Sequence, residues 1–296
     1  MKTAFPVTLF MVISIGLLWG WNWPAVKFML AEIPPLTLRA AGFSIAALAL
    51  MAVACGLGHR LRPAEGEFTS LFLTAFFVLF GFNTLTALGQ LFTPSSNAAI
   101  IAYTMPSMTA LLSVVFLGDV LRGRLILAIG ISLAGLGLLA SADLPALIAA
   151  PLGPVLMLCA ALSWAIGNVL MQARRWTLSP LARAAWFFTI SAALSWPLMW
   201  AVQPAGAVTM PSTATLWVFA FHVCGPMVAC YVLWTVLLGR LSATVAAISI
   251  LIAPVVGVLS SVWVLEEVLS WEKIIALVLI VTSIAITVIK PRMAAN

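Results

Sequence analysis

Apolar runs of about 20 residues, the length a helix needs to cross a bilayer, follow one another along almost the whole of this 296-residue chain. The longest polar breaks are Gly58–Glu67 and Gln203–Ser212. Inside hydrocarbon, a spanning segment must satisfy its own backbone, which leaves helices and closed barrels. Runs this long and this apolar select helices. The pattern predicts an all-α polytopic membrane protein with ten transmembrane helices, at 6–28, 35–57, 68–90, 95–117, 123–141, 152–173, 180–202, 213–238, 242–265 and 271–290. Composition agrees. Charged residues make up 7% of the chain and mean hydropathy is +1.19, whereas a soluble domain carries roughly 25% charged residues to meet water.

Several function classes drop out. The net charge of +6 comes from scattered basic residues between apolar runs, where membrane-orientation signals belong, so nucleic acid is not an expected partner. Cys55, Cys159, Cys224 and Cys230 all lie in apolar stretches without a CxxC pair. With two histidines in the chain, they build no zinc site at the usual spacing, and buried helix packing is the expected role. No metal or cofactor is expected. The N-terminal run continues to about Leu30 without a small-x-small cleavage pattern, so it reads as a retained first helix rather than a signal peptide.

The chain also repeats itself. A shift of 148 residues makes ten of the 24 positions from Ala98 to Leu121 identical, among them Pro106 with Pro254. Each proline is followed thirteen residues later by an acid, Asp119 and Glu267. Near the start of each half the spacing is 145, pairing Trp19 with Trp164 and Pro35 with Pro180. The repeats are expected at 1–146 and 147–296. Eleven Lys and Arg residues fall on the side of the N-terminus, against Lys27, Arg39 and Lys273 on the other. That bias predicts cytoplasmic N- and C-termini. Five helices per half is an odd number, so the second half is expected upside down relative to the first, as in secondary transporters with a central cavity.

Leu18-Trp19-Gly20-Trp21-Asn22-Trp23, followed by Lys27, Pro35 and Arg39, resembles the opening of EamA-type members of the drug/metabolite transporter superfamily. The stretches from Ala98 to Arg122 and from Ala246 to Leu269 are similar to the family's mid-helix proline and terminal glycine–acid segment. The second copy departs from it, with Glu266 where the first has Gly118. Within the superfamily, the Trp-rich first helix and overall layout look most like the YddG-type exporters of aromatic and other amino acids. That resemblance implies a multi-pass transporter of the bacterial inner membrane, exporting through a central cavity.

Pro106 and Pro254 each remove a backbone N–H and free a carbonyl, at Ala102 and Ile250. They read as hinges beside a substrate path, or as static kinks. Trp19 with Asn22, and Trp164 with Asn168, share helix faces by their spacing. A ring beside an amide suits an amphipathic solute, although interhelical packing places the same residues. Asn83, Thr86, Tyr103, His222 and Ser249 complete the expected cavity, because polar groups within spans tend to face the bundle interior. His222 can titrate near neutrality; a neutral, hydrogen-bonded imidazole is the plainer role. All eight acids map to helix ends or loops, which argues against proton-coupled cation antiport.

Neither a Walker A sequence nor HExxH occurs, so ATP hydrolysis and zinc proteolysis are unsupported. An intramembrane enzyme is the remote alternative, lacking convergent catalytic groups. Facilitated export of amino acids by a monomer, with a small-molecule substrate and membrane lipid as partners, is the leading expectation. A broad drug/metabolite exporter is the alternative.

Overall fold

The computed structural model describes residues 4–120, 123–141, 148, 150–203, 210–238 and 243–288. Side chains are described for these except at 4–6, 8, 235–250 and 287–288. The described residues form helices and no strand. We label them α1 (Ala4–Met29), α2 (Pro35–Gly56), α3 (Glu67–Phe92), α4 (Ser95–Leu117), α5 (Gly123–Ser141), α6 (Leu152–Gln172) and α7 (Pro180–Val202). Next come α8, in three pieces (Thr213–His222, Val223–Ala229 and Cys230–Leu238), α9 (Ala243–Val264) and α10 (Trp271–Val288). Among the described residues, eight of these helices are long and apolar enough to cross a membrane, from α1 through α8.

Local sequence explains where the helices begin. Pro35 and Pro180 occupy the first turns of α2 and α7, where a missing N–H has no helical partner to lose. The Ser179 hydroxyl accepts from the Ala182 N–H at 3.2 Å, and the Ser212 hydroxyl accepts from the Thr215 N–H at 3.3 Å. Both cap orphan donors. α4 ends on Gly118, whose φ of 73° places it in the left-handed region. At the corresponding end of α9, Glu266 adopts φ 53° without being glycine.

Two helices depart from regular α geometry at corresponding places. α3 widens into a π-helix at Phe76–Gly81, and α8 does so at Val223–Ala229. A π-helix disturbs the regular carbonyl pairing, and in lipid an exposed carbonyl needs a partner. Each π segment finds one on the first helix of the opposite half. Ser163 of α6 donates to the Phe77 carbonyl at 2.7 Å, and the Trp19 indole of α1 donates to the Pro226 carbonyl at 3.2 Å.

Packing follows the same exchange. α2 lies along α7, α5 along α10, α1 along α9, and α4 along α6. Swapping the halves, α1 for α6 and so on, turns the α1–α9 contact into the α6–α4 contact and leaves the other two pairs unchanged. Small residues permit this closeness, as expected where lipid provides no hydrophobic drive between helices. A Cβ on Gly20 would stand 2.5 Å from Val256 Cβ, and one on Gly167 would stand 2.5 Å from the Val78 backbone nitrogen. Outward faces carry apolar side chains such as Leu48, Phe116 and Trp217.

Two acid clamps join the halves with their roles reversed. The Glu32 carboxylate accepts from the Ser212 N–H at 2.6 Å and its hydroxyl at 2.8 Å. The Glu67 carboxylate accepts from the Thr177 N–H at 2.9 Å and its hydroxyl at 2.6 Å. At the spacing of 145, Glu32 corresponds to Thr177 and Glu67 to Ser212, so each clamp is the image of the other with acid and hydroxyl exchanged. One binds the bundle end that holds residues 30–34, the other the end that holds residues 57–66.

Some expectations need correction. Cys55, Cys159 and Cys224 are exposed, and of the four cysteines only Cys230 is buried; the apolar phase that carries them faces outward. Arg39, counted from sequence as a flanking charge, is 1% exposed.

Candidate functional site

A cavity of about 440 Å³ lies between α1, α3, α4, α6, α7 and α8. Trp19, Asn22, Asn83, Tyr103, Trp164, Asn168 and His222 all line it, together with Pro106. Thr86 does not. It is buried behind the wall, where its hydroxyl donates to the Asn83 carbonyl at 2.9 Å. Pro254 is not in the wall either and sits inside an unbroken α9. The Ser249 side chain lies outside the described residues.

The wall is chiefly apolar and rich in aromatic rings. Trp19 meets Trp234 at a centroid distance of 5.9 Å and Tyr231 at 6.3 Å. Trp23 meets Tyr103 at 6.0 Å, Phe82 meets Trp164 at 4.9 Å, and Phe188 meets Tyr231 at 5.0 Å. Ring planes at these angles present both faces and edges to an occupant, which suits an apolar or cationic group. Polar groups are few: Asn22, Asn83, Asn168, His222 and Arg183, whose buried Nε has no hydrogen-bond partner among the described residues. The Asn83 and Asn168 amides donate to carbonyls of their own helices, at Leu79 (3.0 Å) and Trp164 (2.9 Å). Among the described residues their side-chain oxygens accept from no donor.

Behind the α1–α3–α8 wall lies a buried polar cluster that sequence reasoning missed as a unit. The Arg39 guanidinium donates to the Asn83 carbonyl at 2.8 Å and to the Thr86 hydroxyl at 3.5 Å. It also lies 3.3 Å from His222 Nε2, while His222 Nδ1 lies 2.5 Å from Asn22 Oδ1. The available signal was Arg39 itself, four residues inside a helix that opens at Pro35.

The cavity is asymmetric along the bundle. Its lining reaches Met171, Pro180 and Arg183, at the end shared with the Glu67 clamp. The other end is tied together by charge. Glu267 accepts from the N–H groups of Ser95 at 2.6 Å and Ser96 at 3.0 Å, and from the Ser96 hydroxyl. A carboxylate there meets the positive end of the α4 dipole. Lys273 Nζ is 3.9 Å from Glu267 and donates to the Ser96 hydroxyl at 2.9 Å. Lys27 donates to the Gln90 carbonyl and, at 3.4 Å, to the Thr93 carbonyl. These contacts join the ends of α1, α3, α4, α9 and α10.

Apolar helices long enough to cross a bilayer, packed around a cavity lined largely by aromatic and other apolar side chains, are consistent with a polytopic membrane protein. The chain belongs to the EamA-like transporter family, within the drug/metabolite transporter superfamily: the family model matches residues 7–141 and again 151–289. It is 26% identical to a "Probable amino-acid metabolite efflux pump" of Escherichia coli (strain K12), over 94% of this chain and 93% of that protein. It is 25% identical to the "Uncharacterized transporter YvbV" of Bacillus subtilis (strain 168), over 94% and 90%. An "Uncharacterized inner membrane transporter YedA" of Escherichia coli (strain K12) is 28% identical over 53% of this chain and 50% of its own length. A solved crystal structure superposes with a TM-score of 0.68 at 22% identity, covering 95% of this chain and 97% of that one, and supports the fold.

Proposed function

We propose that this chain exports amino acids, aromatic and other neutral ones, across the bacterial inner membrane by facilitated alternating access, and that it is not an enzyme. The observation that carries this reading is the cavity: aromatic, sparsely polar, continuous toward one end of the bundle and tied shut by Glu267 and its partners at the other. An amphipathic zwitterion fits such a wall, with its side chain on the rings and its polar head on the few amides. The similarity to a probable amino-acid metabolite efflux pump favours the same substrate class.

Ten membrane crossings as two inverted five-helix repeats are the architecture we assign, with the chain acting as a monomer. The exchanged pairings of α1–α9 with α6–α4, the two π segments and the mirrored clamps support that symmetry. Cytoplasmic termini make the open end inward-facing. Lys27, Arg39 and Lys273, the three cations counted on the far side, all make hydrogen bonds within the protein, which favours a structural role for them over an orientation signal.

The test is counterflow in proteoliposomes, with labelled phenylalanine and a panel of unlabelled amino acids and lipophilic cations. Trans-stimulation by amino acids alone is the expected result. Trans-stimulation by the cations alone would replace this reading with the broad exporter. Reporter fusions after Lys290 and within Gln203–Ser212 should fall on opposite sides of the membrane; same-side placement sinks the inverted topology.

A further inference from the structure

Arg39 is a buried cation without an anion. Among the described residues no acid lies within ion-pair distance of it, and its three partners are a carbonyl, a hydroxyl and an imidazole. Removing a charge from water without a counter-charge is costly, so an anion that visits this region is strongly favoured.

The hydrogen-bond directions say where that anion sits. A guanidinium has donors and no acceptor, so His222 Nε2, 3.3 Å from Arg39, accepts. His222 is therefore neutral with its proton on Nδ1, and Nδ1 donates to Asn22 Oδ1 at 2.5 Å. The Asn22 carbonyl is thereby occupied. Its amide nitrogen, with two N–H donors, has no partner among the described residues, and Asn22 lines the cavity. A single donor direction runs from the buried cation through the imidazole to the cavity wall.

We propose that this chain of groups is a carboxylate subsite: the Asn22 amide binds the substrate's carboxylate, and Arg39, acting through His222, is the positioning residue that supplies its counter-charge. The proposal rests on the amino-acid exporter reading and names which end of the solute goes where. The carboxylate faces α1 and α8, leaving the ammonium and side chain to the aromatic rings.

Three compounds separate the contributions: phenylalanine, 3-phenylpropionate (no ammonium) and phenethylamine (no carboxylate). Thermal stabilisation of the purified full-length protein by each is measured in detergent, since ligand binding to the folded state raises the melting temperature. In the unmodified protein, the two carboxylates should bind at least about tenfold more tightly than phenethylamine, the scale of a charge-assisted hydrogen bond. Asn22→Asp keeps the acceptor for His222, removes the donors and adds a negative charge, with Arg39 left in place. It should lose that tenfold preference and bind phenethylamine as well as or better than before. Arg39→Gln should weaken the two carboxylates and leave the amine unchanged.

Equal binding of all three compounds, or an Asn22→Asp protein with unaltered preference, overturns the subsite while leaving an exporter of amphipathic solutes standing. Phenylalanine that neither stabilises the unmodified protein nor exchanges in counterflow overturns the amino-acid reading itself.

Discussion

In α4 the helix stops at Ala102, turns through Tyr103 and Thr104 and restarts at Met105, so Pro106 lies in the first turn of a new segment. In α9, whose sequence copies it at a spacing of 148, the helix runs from Ala243 to Val264 with Pro254 inside. The proline therefore does not dictate a break; it lowers the cost of one, and the surroundings decide. Tyr103, Met105 and Pro106 stand in the cavity wall, whereas Pro254 does not. The alternating access we propose for inverted repeats would have this form: the same segment bent in one half and straight in the other, with the roles exchanged in the opposite state.

The strongest way to break that comparison is to remove each proline in turn. Proline in a helix interior costs about 3 kcal/mol, so Pro106→Ala favours a straight α4 by an amount that can change populations about a hundredfold. Initial counterflow rates should fall at least about tenfold. Pro254→Ala should slow exchange to a similar degree if α9 must bend in the opposite state. A silent Pro254→Ala beside an impaired Pro106→Ala would make the α4 break a fixed kink instead.

Tryptophans sharpen the comparison next. Trp19 and Trp164 are copies facing one cavity, yet Trp19 donates to Pro226 while Trp164 packs on Phe82. Replacing either by Ala should raise the half-saturation for phenylalanine roughly five- to tenfold, the scale of a lost aromatic contact with its buried area. Trp271→Ala should change little, since Trp271 is 61% exposed outside the cavity. Equal, negligible effects at all three positions would return Trp19 and Trp164 to helix packing.

Much of this was legible in the sequence because lipid simplifies the physics. With no water to satisfy the backbone, apolar length alone sets helix limits, and the helix ends that have described residues on both sides match the expected ones to within two residues. Asn22, Asn83, Asn168 and His222 were readable as interior groups because polarity within a span is informative. What escaped was depth and direction. Arg39 lies close enough to Pro35 to pass for an interfacial charge, and only the packing of α3 and α8 against α2 buries it. Thr86 has the right polarity but the wrong helix phase for the wall. The π segment of α3 left no residue signature, that of α8 only Pro226, and the difference between α4 and α9 is conformational.

The helix stops offer a smaller test. Gly118 and Glu266 hold corresponding left-handed positions at φ 73° and 53°, where a side chain costs about 1 kcal/mol relative to glycine. Glu266→Gly should therefore raise the melting temperature in detergent by a few degrees. Gly118→Ala should lower it by a similar amount. A drop on Glu266→Gly would mean that the Glu266 side chain contributes more than its backbone costs.

The mirrored clamps should give unequal effects, with the one at Glu32 the smallest of all. Glu67 is fully buried and also accepts from the Ala64 N–H at 2.8 Å, so Glu67→Gln should cost about 1.5–3 kcal/mol, as for other lost charge-assisted bonds. Glu32 is exposed, and the Ser212 N–H and hydroxyl hold its carboxyl below the ordinary 4.5. A lowered folded-state value means that the clamp's contribution is complete above 4.5 and disappears as pH falls through the folded value. The melting temperature of the unmodified protein should exceed that of Glu32→Gln slightly at neutral pH, and the two should converge in acid. Convergence on the alkaline side instead would take Glu32 out of the clamp and leave the pseudo-symmetry at that end resting on helix packing alone.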